Sequence, residues 1–291
     1  MSHTKMQSYI KNYLEYLRIE KGLSEKTIEV YQRDLLEFSH FTKGSAVNKL
    51  TRGSIRSFLV FLSEKNNQSI TRRRKLTSLK NYFVFLENEN LMKNNPVKNI
   101  AMPKVKEKEP SYLTEKELRK LISVIKKDKS KHQKRNELMV KVLVETGIRI
   151  SELTNLSVGD VDAESKTVTV KRKGGQKQSV PINTELAKQL KNMVKKKELA
   201  EPVFLSSFKK RITQRRVGML VQEYLKLAGI TKPNISVHSL RHSFCSRLLE
   251  KGVNLKTIQI LAGHKNISTT ERYLHIAKSR LRKEVRLAEI H

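Results

Sequence analysis

From Met6 onward the apolar positions Met6, Tyr9, Ile10, Tyr13, Leu14 and Leu17 recur at helical spacing, and Gly22 stops the pattern where a C-terminal glycine belongs. Ser24 stands as N-cap before a second stretch carrying Ile28, Tyr31, Leu35 and Phe38, and Thr51 before a third carrying Ile55, Phe58, Leu59 and Leu62. Leu76, Leu79, Phe83 and Leu86 stripe a fourth. Four amphipathic stretches within residues 1–92 predict a small helical bundle, since each apolar face needs the others to cover it.

The periodicity then lapses. Residues 93–110 hold three Pro and five Lys, and Pro96, Pro103 and Pro110 each bias the preceding residue toward extended backbone, which predicts an interdomain linker. Beyond it, Thr114 and Glu117 form a capping box ahead of Leu118, Leu121, Ile122 and Ile125, and a further helix covers Leu138, Met139, Val142 and Leu143 up to Gly147. Residues 166–172 alternate β-branched and polar side chains, Gly174 and Gly175 supply a turn, and residues 178–182 return as the partner strand. Helices follow around 186–194, 217–228, 238–250 and 254–261, with Gly229 and Gly252 as stops, and a last one is capped by Ser268 with Glu271. The second domain, residues 111–291, thus reads as mainly α with one small hairpin.

Composition adds a partner to this outline. The chain of 291 residues carries 60 Lys and Arg against 28 Asp and Glu, a formal charge of +32. Both halves share it: the first 100 residues are net +9 and the remainder net +23. No apolar run reaches the length of a membrane span, so an anionic partner is expected, nucleic acid first, and two cationic domains on a linker could clamp a duplex. Arg72, Arg73, Arg74, Lys75 and Lys80 crowd one helix with no acidic residue between Ile70 and Tyr82 to pair at i,i+4, which favours phosphate contact over a merely solvated face. The single Cys245 and an N-terminus without an apolar signal core point to a reducing cytoplasm.

The candidate chemistry lies in the second domain. In H-S-L-R-H, residues 238–242, His238, Arg241 and His242 share a helix face. Two His at i,i+4 invite a zinc reading, but Ser239 stands where a zincin has Glu and Arg241 would repel the metal, so no metal is expected. An anion site suits them better, because a guanidinium offers a planar fork to two phosphate oxygens and an imidazole adds a donor. In T-G-I-R-I-S-E-L, residues 146–153, Arg149 lies between apolar neighbours at a helix start; it is either neutralised by Glu152 or holds a phosphate. Lys173 sits at the hairpin tip, and His264 follows a helix-ending Gly in L-A-G-H.

Taken in order, T-G-I-R-I-S-E-L, R-K-G-G-Q-K-Q-S-V-P, H-S-L-R-H-S-F, L-A-G-H and T-T-E-R-Y resemble the tyrosine recombinase (phage integrase) family, closest to its Xer-like members, over nearly the whole chain. The resemblance implies an N-terminal four-helix, SAM-like core-binding domain and an α-rich catalytic domain forming a C-shaped DNA clamp. It makes Arg149 and Arg241 the phosphate-binding arginines, Lys173 the hairpin lysine, His238 and His264 the active-site histidines and Tyr273 the nucleophile. It also sets Arg172 and Lys177, flanking the hairpin turn, against DNA, and residues 274–291 as a tail that docks on a neighbouring protomer. Two departures stand out: Ala262 where Leu is common, and Gln178 where the hairpin often ends in a basic residue.

What the resemblance implies is site-specific strand exchange through a covalent 3′-phosphotyrosyl intermediate and a Holliday junction, in a tetramer across two sites with inverted core repeats, as one protein or with a paralogue, without metal, ATP or other cofactor. Two rivals remain at this point. A type IB topoisomerase shares the tyrosine chemistry but works alone on one duplex, and a catalytically silent architectural protein could share the fold.

Overall fold

The computed structural model describes residues 2–105, 111–172 and 174–263, the side chains from Met6 onward. The chain divides into two compact units, Met1–Lys108 and Glu109–His291, each built around its own core. Among the described residues no helix is long and apolar enough to cross a membrane.

The first unit consists of α1 (Ser2–Ile19), α2 (Glu25–Phe41), α3 (Arg52–Glu64) and α4 (Ser69–Asn88). The four stripes read from the sequence meet in one core, where Tyr13, Phe38, Phe58, Leu76, Leu79, Phe83 and Leu86 are all buried. Each buried Phe contributes about 1.5–3 kcal/mol of apolar transfer. Phe38 also stands edge-on to Phe58 and Phe83, with ring centroids 5.1 and 6.0 Å apart, the arrangement that the ring quadrupoles favour. Thr51 caps α3 as expected, its hydroxyl accepting from the Ser54 backbone while Ser54 returns the bond. Ser24 precedes α2 but its hydroxyl pairs with that of Thr27 instead of capping the helix.

The first part of the segment expected as a linker packs onto this unit. Val97 and Ile100 are buried in its core, and Lys80 Nζ donates to the Ile100 carbonyl at 2.8 Å. The Pro and Lys content of the segment hides these apolar contacts, which have no helical period to reveal them.

The second unit begins with α5 (Glu115–Lys126), capped by Thr114 and Glu117 reciprocally, and α6 (Gln133–Thr146). Next come α7 (Ile150–Asn155), β1 (Val161–Asp162), β2 (Thr167–Lys171), β3 (Lys177–Pro181), α8 (Thr184–Val194), α9 (Gln214–Leu227), α10 (Val237–Glu250) and α11 (Leu255–Ala262). The strands form an antiparallel sheet in the order β1-β2-β3, with Val168 opposite Val180 and Val170 opposite Gln178. Val168, Val170 and Val180 face the core, as the alternation predicts. β1 is too short to show any alternation and is an addition to the expected hairpin. The helix expected from Ser268 and the tail at 274–291 lie outside the described residues.

Candidate active site

The site is assembled at three chain turns. At the first, α6 ends on Gly147, whose left-handed φ of +63° reverses the chain so that Arg149 opens α7. A Cβ at Gly147 would lie 2.3 Å from Phe244 Cδ1, so α10 can press its ring against the turn only because this residue is glycine. On the same face of α10, Arg241 Nη1 donates to the Gly147 carbonyl at 2.7 Å and Arg247 Nη2 to the Val144 carbonyl at 3.0 Å. Two guanidiniums thereby satisfy carbonyls that the end of α6 leaves without helical partners. Gly147→Ala is expected to destabilise the protein by about 3 kcal/mol, combining left-handed strain with overpacking. The measurement is the urea midpoint, which an ordinary surface change would leave in place.

The second turn carries Arg149. Glu152 reaches back to accept from the Arg149 backbone N–H at 2.8 Å and from Nη1 at 2.7 Å. Both outcomes left open for this arginine are thus partly realised, since Glu152 does pair with it, yet a third of its side chain stays exposed. Glu152 also binds a second cation, Arg172 Nη1, at 2.6 Å. Burial pushes the Glu152 carboxyl up, but its hydrogen bonds from Arg149 and the charge of Arg172 outweigh this and hold it below the usual carboxylate range.

The third turn is the end of α11. Gln178 Nε2 donates to the Ile260 carbonyl, Arg172 Nη2 to that of Leu261 and Arg149 Nη2 to that of Gly263, at 2.9, 2.9 and 2.8 Å. Side chains thus bind carbonyls along this helix end, that of Ile260 also accepting from the Gly263 N–H at 2.9 Å, and Gly263 itself is in a left-handed turn.

Arg149 and Arg172 therefore share one carboxylate, Glu152, whose charge also reaches Arg241. Arg241 is only 8% exposed, and among the described residues its Nη2 has no hydrogen-bond partner. Burial, and then the nearby Arg149, push its pKa down to about 10. A buried guanidinium with an open donor beside a partly exposed second guanidinium is a site for an anion with several oxygens, such as a phosphodiester. His238 stands exposed at the first turn of α10, one turn before Arg241. Lys173, His264 and Tyr273 lie outside the described residues; Lys173 follows Arg172 and His264 follows Gly263 in sequence.

The cations expected to face DNA divide into two groups. Lys177 is exposed and lies directly across the hairpin from exposed Lys171, a like-charge pair that a bound anion would relieve. Arg73 is also exposed. By contrast Arg74 is ion-paired with Asp34 of α2, and Lys75 is buried against Glu37. Arg72 donates to Ser63, Asn67 and Ser69, and Lys80 to Ile100. The acids absent from the local i,i+4 positions are supplied by another helix, which turns Lys75 inward. Arg172 likewise is buried and bound on three sides rather than turned outward. Sequence reasoning saw Glu152 as a neighbour of Arg149 but not as its bridge to Arg172, which lies 20 residues away.

A cluster of guanidiniums of this kind suits a site that stabilises charge on a phosphodiester. The phage integrase family model matches residues 111–280, and that of the phage integrase N-terminal SAM-like domain matches residues 10–90. The chain is 34% identical over 283 residues to tyrosine recombinase XerC of Thermodesulfovibrio yellowstonii, covering 94% of this chain and 93% of that one. It is 32% identical over 285 residues to tyrosine recombinase XerD of Oceanobacillus iheyensis, covering 94% and 95%. Among solved structures, the fold matches XerH site-specific recombinase bound to palindromic difH substrate with a TM-score of 0.76 at 24% identity, over 95% of this chain and 83% of that one. It matches the Tn1549 transposon integrase in complex with transposon right end DNA with a TM-score of 0.79 at 20% identity, over 97% and 99%. The chain belongs to the phage integrase family of tyrosine recombinases. It is a site-specific recombinase, a reading these relatives favour over a topoisomerase or a silent architectural protein.

Proposed function

We propose that the chain exchanges strands of duplex DNA at inverted core-site repeats, with Arg149 and Arg241 holding the scissile phosphate. The observation that supports this most is the open Nη2 of Arg241, buried beside Arg149 and without an acceptor among the described residues. Tyr273 Oη attacks the phosphorus, and the bond from phosphorus to the 5′-oxygen breaks. A tyrosine ionises near pH ~10, so its proton must pass to a base, His264 or His238, while the guanidiniums stabilise the charge gathering on the non-bridging oxygens. Lys173 protonates the departing 5′-oxygen. A 5′-hydroxyl from the second duplex then attacks the phosphotyrosine and restores a phosphodiester, conserving the bond energy so that no ATP is consumed. Exchange of both strand pairs by way of a Holliday junction calls for four protomers on two sites, as one protein or with a paralogue. The setting is the cytoplasm, and the role is to resolve chromosome dimers or transposon cointegrates, or to move a mobile element.

The test uses a library of nicked duplexes with randomised flanks, from which the cleaved fragment diffuses away and leaves the enzyme trapped. The purified full chain should form an SDS-resistant adduct on the 3′-phosphate, and the recovered sequences should converge on an inverted repeat. No adduct from any member overturns the reading. Adducts without a preferred sequence, together with relaxation of plain supercoiled DNA by single protomers, would favour the topoisomerase.

A further inference from the structure

Arg172 occupies a position that sequence assigns to DNA, yet every polar atom of its guanidinium is directed into the protein. Nη1 meets Glu152 at 2.6 Å, Nη2 meets the Leu261 carbonyl at 2.9 Å and Nε meets Gln178 Oε1 at 2.8 Å. Gln178 in turn holds the Ile260 carbonyl through Nε2. The group packs so closely on the α11 turn that a Cβ at Gly263 would come within 2.6 Å of Arg172 Cζ. Three separate elements therefore converge on one side chain: the turn end of the hairpin, the carboxylate at the start of α7 and the last turn of α11.

We propose that Arg172 is a positioning residue for strand cleavage, locking these elements into a single unit with the help of Gln178. The inference rests on the recombinase reading of the same site. Its force comes from chain order. The residue after Arg172 is Lys173, the residue after Gly263 is His264, and Glu152 fixes the guanidinium of Arg149. One buried guanidinium thus sets where three working groups begin. It also accounts for Gln178, which stands where the family hairpin often ends in a basic residue. Here the cation comes from the opposite side of the hairpin, and Gln178 supplies the amide that orients it. Loss of Arg172 leaves Glu152 held by Arg149 alone and frees the Leu261 carbonyl, so the protein still folds but the groups lose their mutual alignment.

The experiment measures single-turnover adduct formation and DNA affinity on a nicked duplex recovered from the wild-type selection, so that failure of the recombinase reading is recognised before any variant is made. Arg172→Met should slow adduct formation about 100-fold, the cost of misplacing reacting groups by roughly 1 Å, with Kd changed less than about twofold. Adding Gln178→Arg to that variant should recover roughly tenfold, since an arginine at 178 extends past the amide into the vacated space toward Glu152, a coupling a double-mutant cycle resolves. A variant rate near wild type overturns the proposal. So does a loss of affinity equal to the loss of rate, which would return Arg172 to phosphate binding, and so does a slow but folded Arg172→Met that Gln178→Arg fails to improve. Should Arg172→Met not fold, Gln178→Ala keeps Glu152 fully paired and should slow adduct formation about tenfold at unchanged affinity; an unchanged rate there overturns the proposal.

Discussion

Arg241→Met is expected to yield a protein that melts a few degrees above wild type and forms the covalent adduct about 1,000-fold more slowly. The two effects share a cause. The Arg241 pKa falls from the usual guanidinium range to about 10, first through burial and then through Arg149. At neutral pH both the folded and the unfolded chain carry the proton, so the lowered value measures what the fold spends to hold the charge, on the order of 3 kcal/mol. Methionine removes that cost and fills similar volume, while leaving the Gly147 carbonyl without its charged donor, a loss of about 2 kcal/mol. The net gain is about 1 kcal/mol. Catalysis moves the other way, because the open Nη2 donor is the group that charge on the phosphate would meet. Differential scanning calorimetry and the trapping assay read the two quantities on one preparation. A melting point below wild type would mean that the buried charge is already compensated.

The largest effect on the reaction belongs to Tyr273→Phe, which should abolish the adduct while leaving affinity for the selected duplex within about twofold. In the proposed mechanism the phenolic oxygen is the atom that bonds to phosphorus, and no other side chain proposed for the site can form an intermediate that survives SDS and releases on proteolysis as a tyrosyl nucleotide. Its removal takes nothing from the charge proposed to hold the phosphate, since Arg149 and Arg241 are untouched. Peptide mapping of the wild-type adduct should place the DNA on the peptide containing Tyr273. An adduct of normal yield in the variant would assign the nucleophile elsewhere.

The helices were legible in the sequence because each carries a single apolar stripe, and their ends were legible where one residue fixes them, as Thr51, Thr114 and Gly147 do. The pairing of Arg149 with Arg241 came from the family resemblance, because the two stand in separate motifs, T-G-I-R-I-S-E-L and H-S-L-R-H, which no local spacing connects. What spacing could not supply were partners distant in the chain. Arg74 and Ser78 meet Asp34 from 40 and 44 residues away, and Lys75 meets Glu37 from 38. A window of one helix therefore sees a bare cationic run where the folded protein has ion pairs. The apolar contacts of Val97 and Ile100 escaped for a related reason, since two side chains without a repeat leave no periodic trace.

Those pairs between α2 and α4 bear on any attempt to retarget the enzyme. Of the four consecutive cations Arg72 to Lys75, only Arg73 is exposed and outside the bonds that tie its neighbours to Ser63, Asp34 and Glu37. Libraries that randomise the whole run to seek a new site preference would break these bonds as well. A productive library would vary Arg73 and the exposed Thr77 one turn on, and hold the bonded cations fixed.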